Sequence, residues 1–211
     1  SHDFGTLTEG DKVTHTFAVK NTGKAPLLIK RVRTSCGCTA AVIGGTAAGV
    51  ATIHDRRTAG TVIEDQNIKL RVRNLLSENP AIKERSNISV TSYNQRVLLY
   101  GQTEDAALAE EFARKVSTLP KVNAVYNEVI EGARTDGWDY SRDTTLVAKI
   151  KASLFKVDIE DFDPTRVKVT ASDGNVYLMG LLTRAEGQAV VEHVRGLSGV
   201  KKVVEIFEYI G

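Results

Sequence analysis

The second half of the chain repeats one sequence pattern. The hairpin-like run Val90-Thr91, Val97-x-Leu99-x-Gly101 recurs 79 residues later as Val169-Thr170, Val176-x-Leu178-x-Gly180. The echo continues at a spacing of 78, where Val116, Leu119, Val122 and Val125 recur as Val194, Leu197, Val200 and Val203. An internal repeat constrains architecture more strongly than any local signal. The chain is therefore predicted to carry two copies of one small module.

Composition excludes several classes of protein. The 211 residues include 28 basic and 26 acidic side chains, so no net basic excess favours nucleic acid as a partner. Aromatic residues make up 6% of the chain, too few for a base-stacking platform. Cys36 and Cys38 are the only cysteines, so a disulfide framework is excluded and packing must stabilise the modules.

The first module is predicted at residues 64–132. Apolar spacing indicates a helix over 65–77, and Pro80 is expected to stop it. Two strands (87–92 and 96–102), a helix from Glu104 with Thr103 as its N-cap, and a strand over 122–130 follow.

The second module, 143–211, repeats this order after a polar connector at 133–142. Asp143 is expected to cap a helix that turns Leu146, Ile150 and Leu154 inward. The dipeptide Asp173-Gly174 indicates a tight hairpin turn, and a helix (184–197) and a strand (201–210) complete the module. The fold class is α+β, with two tandem α-β-β-α-β modules whose helices lie on one face of a three-stranded sheet.

The region before the modules differs in character. Residues 1–38 alternate like short strands, and residues 39–63 are rich in Gly, Ala and Thr and are typical of a flexible arm.

The repeated hairpin and the L-x-x-V-x-x-V ending resemble the BON domain, a bacterial periplasmic and outer-membrane module. Supporting runs are 55–60, 125–128 and 178–181. Two BON domains behind a Cys-led Gly/Ala arm resemble the dual-BON outer-membrane lipoproteins over about residues 38–211. The resemblance implies a non-enzymatic envelope protein.

Residues 1–38 resemble the start of a second family, the secreted Ig-like DUF1573 proteins, through Asp3-Phe4-Gly5, Asn21-Thr22-Gly23 and the run 34–39. An Ig-like sandwich needs about seven strands, so this segment is a partial domain. The two resemblances meet at Cys38, which favours a chimeric join; a natural extension is the alternative. By resemblance Cys38 is the lipidation site, but the polar run 31–35 before it predicts that this chain is not acylated.

A lipid-binding site is predicted around the first helix of the second module. Thr145, Lys149 and Ala152 are expected on its outer face, with Leu146 beside them and Trp138 and Tyr140 just upstream. Aromatic rings beside a lysine suit a headgroup layer, and the resemblance implies anionic phospholipid at this helix. The alternative is that Trp138 packs between the modules. Arg166, Lys168 and Thr170 are expected on a solvated sheet face.

The expected partners are anionic phospholipids, phosphatidylglycerol and cardiolipin, at the periplasmic side of the outer membrane, where the protein would lie on the inner leaflet and support envelope integrity. Two alternatives remain open: a protein-interaction module that contacts an outer-membrane assembly machine, and a soluble periplasmic osmotic-stress BON protein. The sequence contains no catalytic motif. Cys36-Gly37-Cys38 lacks two further ligands for a metal. No enzyme activity, metal or cofactor is expected.

Overall fold

The computed structural model describes residues 55–132 and 137–211, without the side chains of Ala59 and residues 137–140. Within one compact unit, 51–211, the described chain forms two modules. The predictions for residues 1–38, for most of the arm and for Cys38 lie outside the described residues. They stay predictions.

The first module contains six elements, given in chain order: α1 (Ala59–Ser77), α2 (Pro80–Arg85), β1 (Ser86–Tyr93), β2 (Arg96–Thr103), α3 (Ala106–Ser117) and β3 (Ala124–Glu131). Helix α1 begins six residues earlier than predicted, because the Thr58 hydroxyl caps it by accepting from the Thr61 N–H. Pro80 does end α1, but it also occupies the first turn of the short helix α2, where its missing N–H costs nothing. Asp105, rather than Thr103, is the N-cap of α3.

The second module contains α4 (Gly137–Leu154), a 3-10 turn (Pro164–Arg166), β4 (Val167–Ser172), β5 (Asn175–Leu182), α5 (Arg184–Arg195) and β6 (Lys202–Tyr209). Helix α4 also begins six residues before its predicted start. The prediction that Asp143 caps this helix is therefore wrong, since Asp143 lies within it. Helix α5 starts as predicted after Thr183, which forms a reciprocal capping box with Glu186.

The two sheets share one topology. In each, the first strand pairs antiparallel with the second, and the second pairs parallel with the third. The repeat is preserved in atomic detail: Val90 lies opposite Leu99 and Val169 lies opposite Leu178. A Cβ on Gly101 would lie 2.0 Å from the Asn87 carbonyl oxygen, and one on Gly180 would lie 3.0 Å from the equivalent Arg166 oxygen. The repeated glycine is thus required by close strand approach.

Each module encloses its own core between its helices and one face of its sheet. The first core contains Ile68, Val72, Ile82, Val90, Val97, Leu99, Phe112 and Val116. The second contains Leu146, Ile150, Leu154, Val167, Val169, Val176, Leu178, Leu182, Val190, Val191, Val194 and Phe207. Helices on one face of each three-stranded sheet confirm the predicted α+β fold class.

A third apolar cluster joins the two modules. It combines Tyr93 and Leu98 of the first sheet with Tyr177, Met179, Leu181 and Ile206 of the second. These residues lie on the sheet faces that point away from their own helices. The two sheets therefore pack face to face with helices on both outer sides, in four layers.

Polar contacts cross the same boundary. The Lys168 amine donates to the Ser92 carbonyl oxygen at 2.9 Å, and the Tyr93 hydroxyl donates to the Arg166 carbonyl oxygen at 3.3 Å. Thr170 Oγ1 is buried without a hydrogen-bond partner among the described residues. The prediction that Arg166, Lys168 and Thr170 form a solvated face is wrong, because the other module covers this face.

Candidate functional site

Helix α4 places the predicted lipid-binding residues in two different environments. Ile150 and Leu154 are fully buried, and Leu146 is 7% exposed in the same core. Leu146 is therefore not available to a ligand in this conformation. Thr145, Lys149 and Ala152 lie on the exposed face, as the helical period of the apolar residues requires.

Two exposed predicted residues have local partners. The Thr145 hydroxyl donates to the Ser141 carbonyl oxygen at 3.0 Å, one helical turn earlier. The Lys149 amine donates to the carbonyl oxygen and the hydroxyl of Ser198, at 2.9 Å and 2.5 Å. Lys149 thus ties α4 to the loop after α5, which reduces its capacity to bind a headgroup.

The backbone of Trp138 and Tyr140 belongs to the first turns of α4. Their side chains lie outside the described residues, so their predicted contact with lipid stays a prediction.

The structure reveals an exposed aromatic residue that sequence reasoning missed. Phe155 follows the last residue of α4 and is 73% exposed, the most exposed of the large apolar side chains in the described part of the chain. The signal was the pair Leu154-Phe155 at the helix end. Consecutive residues of a helix point about 100° apart, so when Leu154 enters the core, Phe155 cannot follow it.

Phe155 lies within a basic segment. Lys149, Lys151 and Lys156 are all exposed, and residues 144–157 contain no aspartate or glutamate. Lys151 precedes Phe155 by four residues, one helical turn. The exposed set formed by Thr145, Lys149, Lys151, Ala152, Phe155 and Lys156, named here the α4 surface, therefore combines positive charge with one large apolar side chain.

Two shallow grooves lie elsewhere on the described molecule. One, of about 360 Å³, separates α5 from β6 and is lined by Arg184, Glu192, Glu205 and Tyr209 among others. The other, of about 300 Å³, lies on the first module and includes Arg73, Leu76, Ile82 and Lys83. Neither includes the α4 surface.

Other classes of site were searched for in the described ranges. Residues 55–132 and 137–211 contain no group of three or more His, Cys, Asp or Glu side chains placed to hold a metal ion. In the same ranges, no helix is both long enough and apolar enough to span a membrane.

Comparison with known families and proteins identifies relatives over most of the chain. The BON domain model matches residues 64–132 and 142–210, and the model described as a protein of unknown function (DUF1573) matches residues 1–48. The outer membrane lipoprotein DolP of Haemophilus influenzae is 34% identical over 174 residues, which are 82% of this chain and 89% of that protein. The 21 kDa hemolysin of Actinobacillus pleuropneumoniae is 32% identical over 156 residues, 74% of this chain and 79% of that protein. Both resemblances found in the sequence are confirmed.

Among solved structures, the C-terminal domain of CdsD, the structural protein of the type III secretion system of Chlamydia trachomatis, covers 70% of this chain. The match covers 67% of that chain, with a TM-score of 0.28 and 17% identity.

Proposed function

The chain belongs to the BON-domain family, and on this premise we propose that it is a non-enzymatic protein of the outer membrane that binds anionic phospholipid through the α4 surface of its second BON domain. In this proposal the protein lies on the periplasmic side, against the inner leaflet, and supports envelope integrity. The single observation that carries the proposal is the exposed Phe155 within an acid-free segment that bears three lysines.

The chemistry of the α4 surface suits the headgroup layer. An isolated exposed leucine or phenylalanine on a monomer needs no explanation, but an aromatic ring surrounded by lysines combines the two features that anchor proteins at a bilayer interface. The ring would enter the boundary between headgroups and acyl chains, while Lys151 and Lys156 would contact phosphates. No carboxylate of residues 144–157 opposes this approach.

The expected strength is modest. Burial of a phenylalanine side chain contributes about 1.5 to 3 kcal/mol, and each lysine near an anionic surface adds about 1 kcal/mol. Lys149 contributes less, because its amine is already bonded to Ser198. Binding through α4 alone is therefore weak and reversible, and a second contact or an acyl chain would be needed for stable attachment.

The relatives support the proposed location. One is named an outer membrane lipoprotein and the other a hemolysin, and neither name is that of an enzyme. Acylation of Cys38 remains a hypothesis from family resemblance. It would add about 0.8 kcal/mol per buried methylene to the weak contact made by α4.

Vesicle binding by the full chain tests the proposal. Wild type should bind vesicles that contain phosphatidylglycerol or cardiolipin, should not bind pure phosphatidylcholine, and should lose affinity as salt rises. Phe155→Glu should weaken binding at least tenfold, because it removes the apolar contact and adds a repelled charge. The matched control is Ile130→Glu in β3, where an apolar side chain 43% exposed is replaced away from α4. Equal binding by the two variants would refute the α4 mechanism.

A protein-binding function is the second candidate. It is favoured by the groove between α5 and β6, because β6 is an edge strand of its sheet and Tyr209 is exposed there. In that case purified outer-membrane assembly proteins should bind the chain without lipid. Such binding should be lost in Tyr209→Glu and kept in Phe155→Glu.

A further inference from the structure

The edge of the sandwich where β1 and β4 lie contains an unusual lysine. These two strands are edge strands of their sheets, and the Lys168 amine of β4 donates to the Ser92 carbonyl oxygen of β1. Lys168 therefore lies at the boundary between the two BON domains, with one hydrogen bond to a neutral oxygen and no ion pair to a carboxylate given by the described geometry.

The charges around Lys168 are mostly of its own sign. Lys69 of α1, Arg57 just before α1, and Lys151 of α4 all act on it, and Asp65 is the opposing anion. Asp65 is already used: its oxygens accept from Arg57, from the Ser92 hydroxyl, and from two backbone N–H groups. Burial first, and then these cations, lower the pKa of Lys168 to about 8.

Lys69 extends the same positive region along the first domain. It is half-buried and has no hydrogen-bond or ion-pair partner among residues 55–132 and 137–211. Burial, followed by the charge of Arg73 one turn further along α1, lowers the pKa of Lys69. Arg73 in turn borders the groove of about 300 Å³, which has Leu76 and Ile82 in its lining.

Cations held together without compensating carboxylates raise the free energy of the folded protein unless an anion joins them. Lys151 connects this region to the α4 surface, so the positive region reaches from the first helix of one domain to the first helix of the other. The set Lys69, Arg73, Lys151 and Lys168 is named here the junction cluster.

We propose that the junction cluster is a binding site for a phosphate-bearing anion and that both BON domains build it. The phosphodiester of a lipid headgroup has the right charge, and a soluble phosphodiester shares that chemistry. In the membrane form, which rests on the proposed function, the cluster supplies the second contact that α4 alone lacks. The first domain then contacts the membrane as well, rather than acting only as a spacer.

The test uses the full chain with two probes: glycerophosphoglycerol, which is the deacylated phosphatidylglycerol headgroup, and vesicles of phosphatidylglycerol in phosphatidylcholine. Titration calorimetry at pH 8 in two buffers of different ionisation enthalpy measures proton uptake on binding. A bound anion raises the pKa of Lys168, so up to about half a proton should be taken up per site. Neither probe titrates near this pH, so the proton must come from the protein.

Lys69→Gln and Lys151→Gln should each weaken binding about fivefold, the equivalent of one headgroup contact. The matched control is Lys115→Gln, which removes the same charge from α3 of the first domain. Lys168→Met should abolish the proton uptake, and the two exposed or half-exposed lysine variants keep the test valid if that core variant does not fold.

The outcomes separate this site from the α4 mechanism. Proton uptake with the soluble headgroup supports a phosphate site as such, and uptake with vesicles alone supports a headgroup site that needs a bilayer. If Phe155→Glu abolishes vesicle binding while Lys69→Gln matches Lys115→Gln and no proton is taken up, the α4 mechanism stands and the junction cluster is refuted. If the cluster variants lose binding and Phe155→Glu does not, the cluster stands and the α4 mechanism is refuted.

Discussion

At the scale of single residues, two aspartates at equivalent positions hold the hairpins of the two domains. Asp65 accepts from the Asn94 and Gln95 N–H groups, each at 2.8 Å. Asp143, 78 residues later, accepts from the Asp173 and Gly174 N–H groups at 2.8 and 3.0 Å. All four turn residues have positive φ, so each carboxylate compensates a strained turn that connects two central strands.

The first prediction compares these aspartates. Asp65→Ala should lower the free energy of unfolding by about 3 kcal/mol, because Asp65 is 3% exposed and also pairs with Arg57 and the Ser92 hydroxyl. Asp143→Ala should lose about 1 to 2 kcal/mol, since only the two turn N–H groups lose a charged acceptor. Urea denaturation measures both, with the exposed Asp158→Ala as control. A larger loss for Asp143→Ala would contradict the assignment.

The second prediction concerns pH. The pKa of Lys168 is about 8 in the folded protein and 10.5 in an unperturbed lysine. Between these values the unfolded chain binds more protons than the folded one, so the free energy of unfolding should rise with pH, by on the order of 2 kcal/mol in total. Lys69 acts in the same direction.

Above pH 10 the trend should reverse. Burial, followed by the charge of Glu128, raises the pKa of Tyr177 to about 12, so the unfolded chain loses that proton first and stability falls. Denaturation from pH 7 to 10 checks the rise: wild type should gain stability and Lys168→Met should stay nearly flat. A wild-type curve that is flat over this interval would show that Lys168 is not desolvated.

At the scale of elements, the periodic patterns predicted the helices and strands because each domain has one core that sorts its residues by period. The starts of α1 and α4 were missed since polar first turns carry no apolar period. The buried face of β4 was missed because Arg166 and Lys168 alternate like solvated residues. Their partners, Glu186 and Ser92, are remote in sequence. On α4 the period predicted the exposure of Thr145, Lys149 and Ala152, but it gave no rule for Phe155 beyond the helix end.

A short segment before α1 joins the two domains. Arg56 makes a two-bond contact with Glu186 of α5, at 2.6 and 3.0 Å, and donates to the Leu181 carbonyl oxygen. Glu186 also accepts from Arg166 and from the Thr183 N–H. Although it lies in the predicted flexible arm region's continuation, the segment is thus held against the second domain.

The third prediction follows from this contact. Glu186→Ala should lower the free energy of unfolding by about 3 to 5 kcal/mol, because Glu186 is 4% exposed on its side chain and its loss leaves two arginines unpaired and the capping box broken. Arg56→Ala should lose only about 1 to 2 kcal/mol, since Arg166 still pairs with the carboxylate. Thermal unfolding checks the order, with the exposed Arg195→Ala as control. Equal losses would show that Arg56 contributes as much as the whole network.

At the scale of the whole molecule, the face-to-face sheets make the two BON domains one packed body. Each domain has its own core, but both sheets bury a second apolar face in the interface cluster. The alignment of the two repeats predicts two similar domains and does not predict their packing, because inward and interface positions alternate on every strand and both are apolar. Leu98 and Met179, for example, alternate with core residues of the same strands.

The fourth prediction is that this interface makes unfolding cooperative. Met179 is 1% exposed in the interface cluster and does not belong to the core of its own domain. Met179→Glu buries an unpaired carboxylate there, so the domains should separate while both cores persist. Trp138 is the only tryptophan and lies in the second domain, so its fluorescence reports that domain, whereas far-UV circular dichroism reports both. In wild type the two signals should change at one urea concentration. In Met179→Glu they should separate, and in the control Ile130→Glu they should still coincide, because Ile130 lies outside the interface cluster. Separate transitions in wild type would mean that the sheet contact is too weak to couple the domains, and coincident transitions in a destabilised Met179→Glu would mean that neither domain is stable without the other.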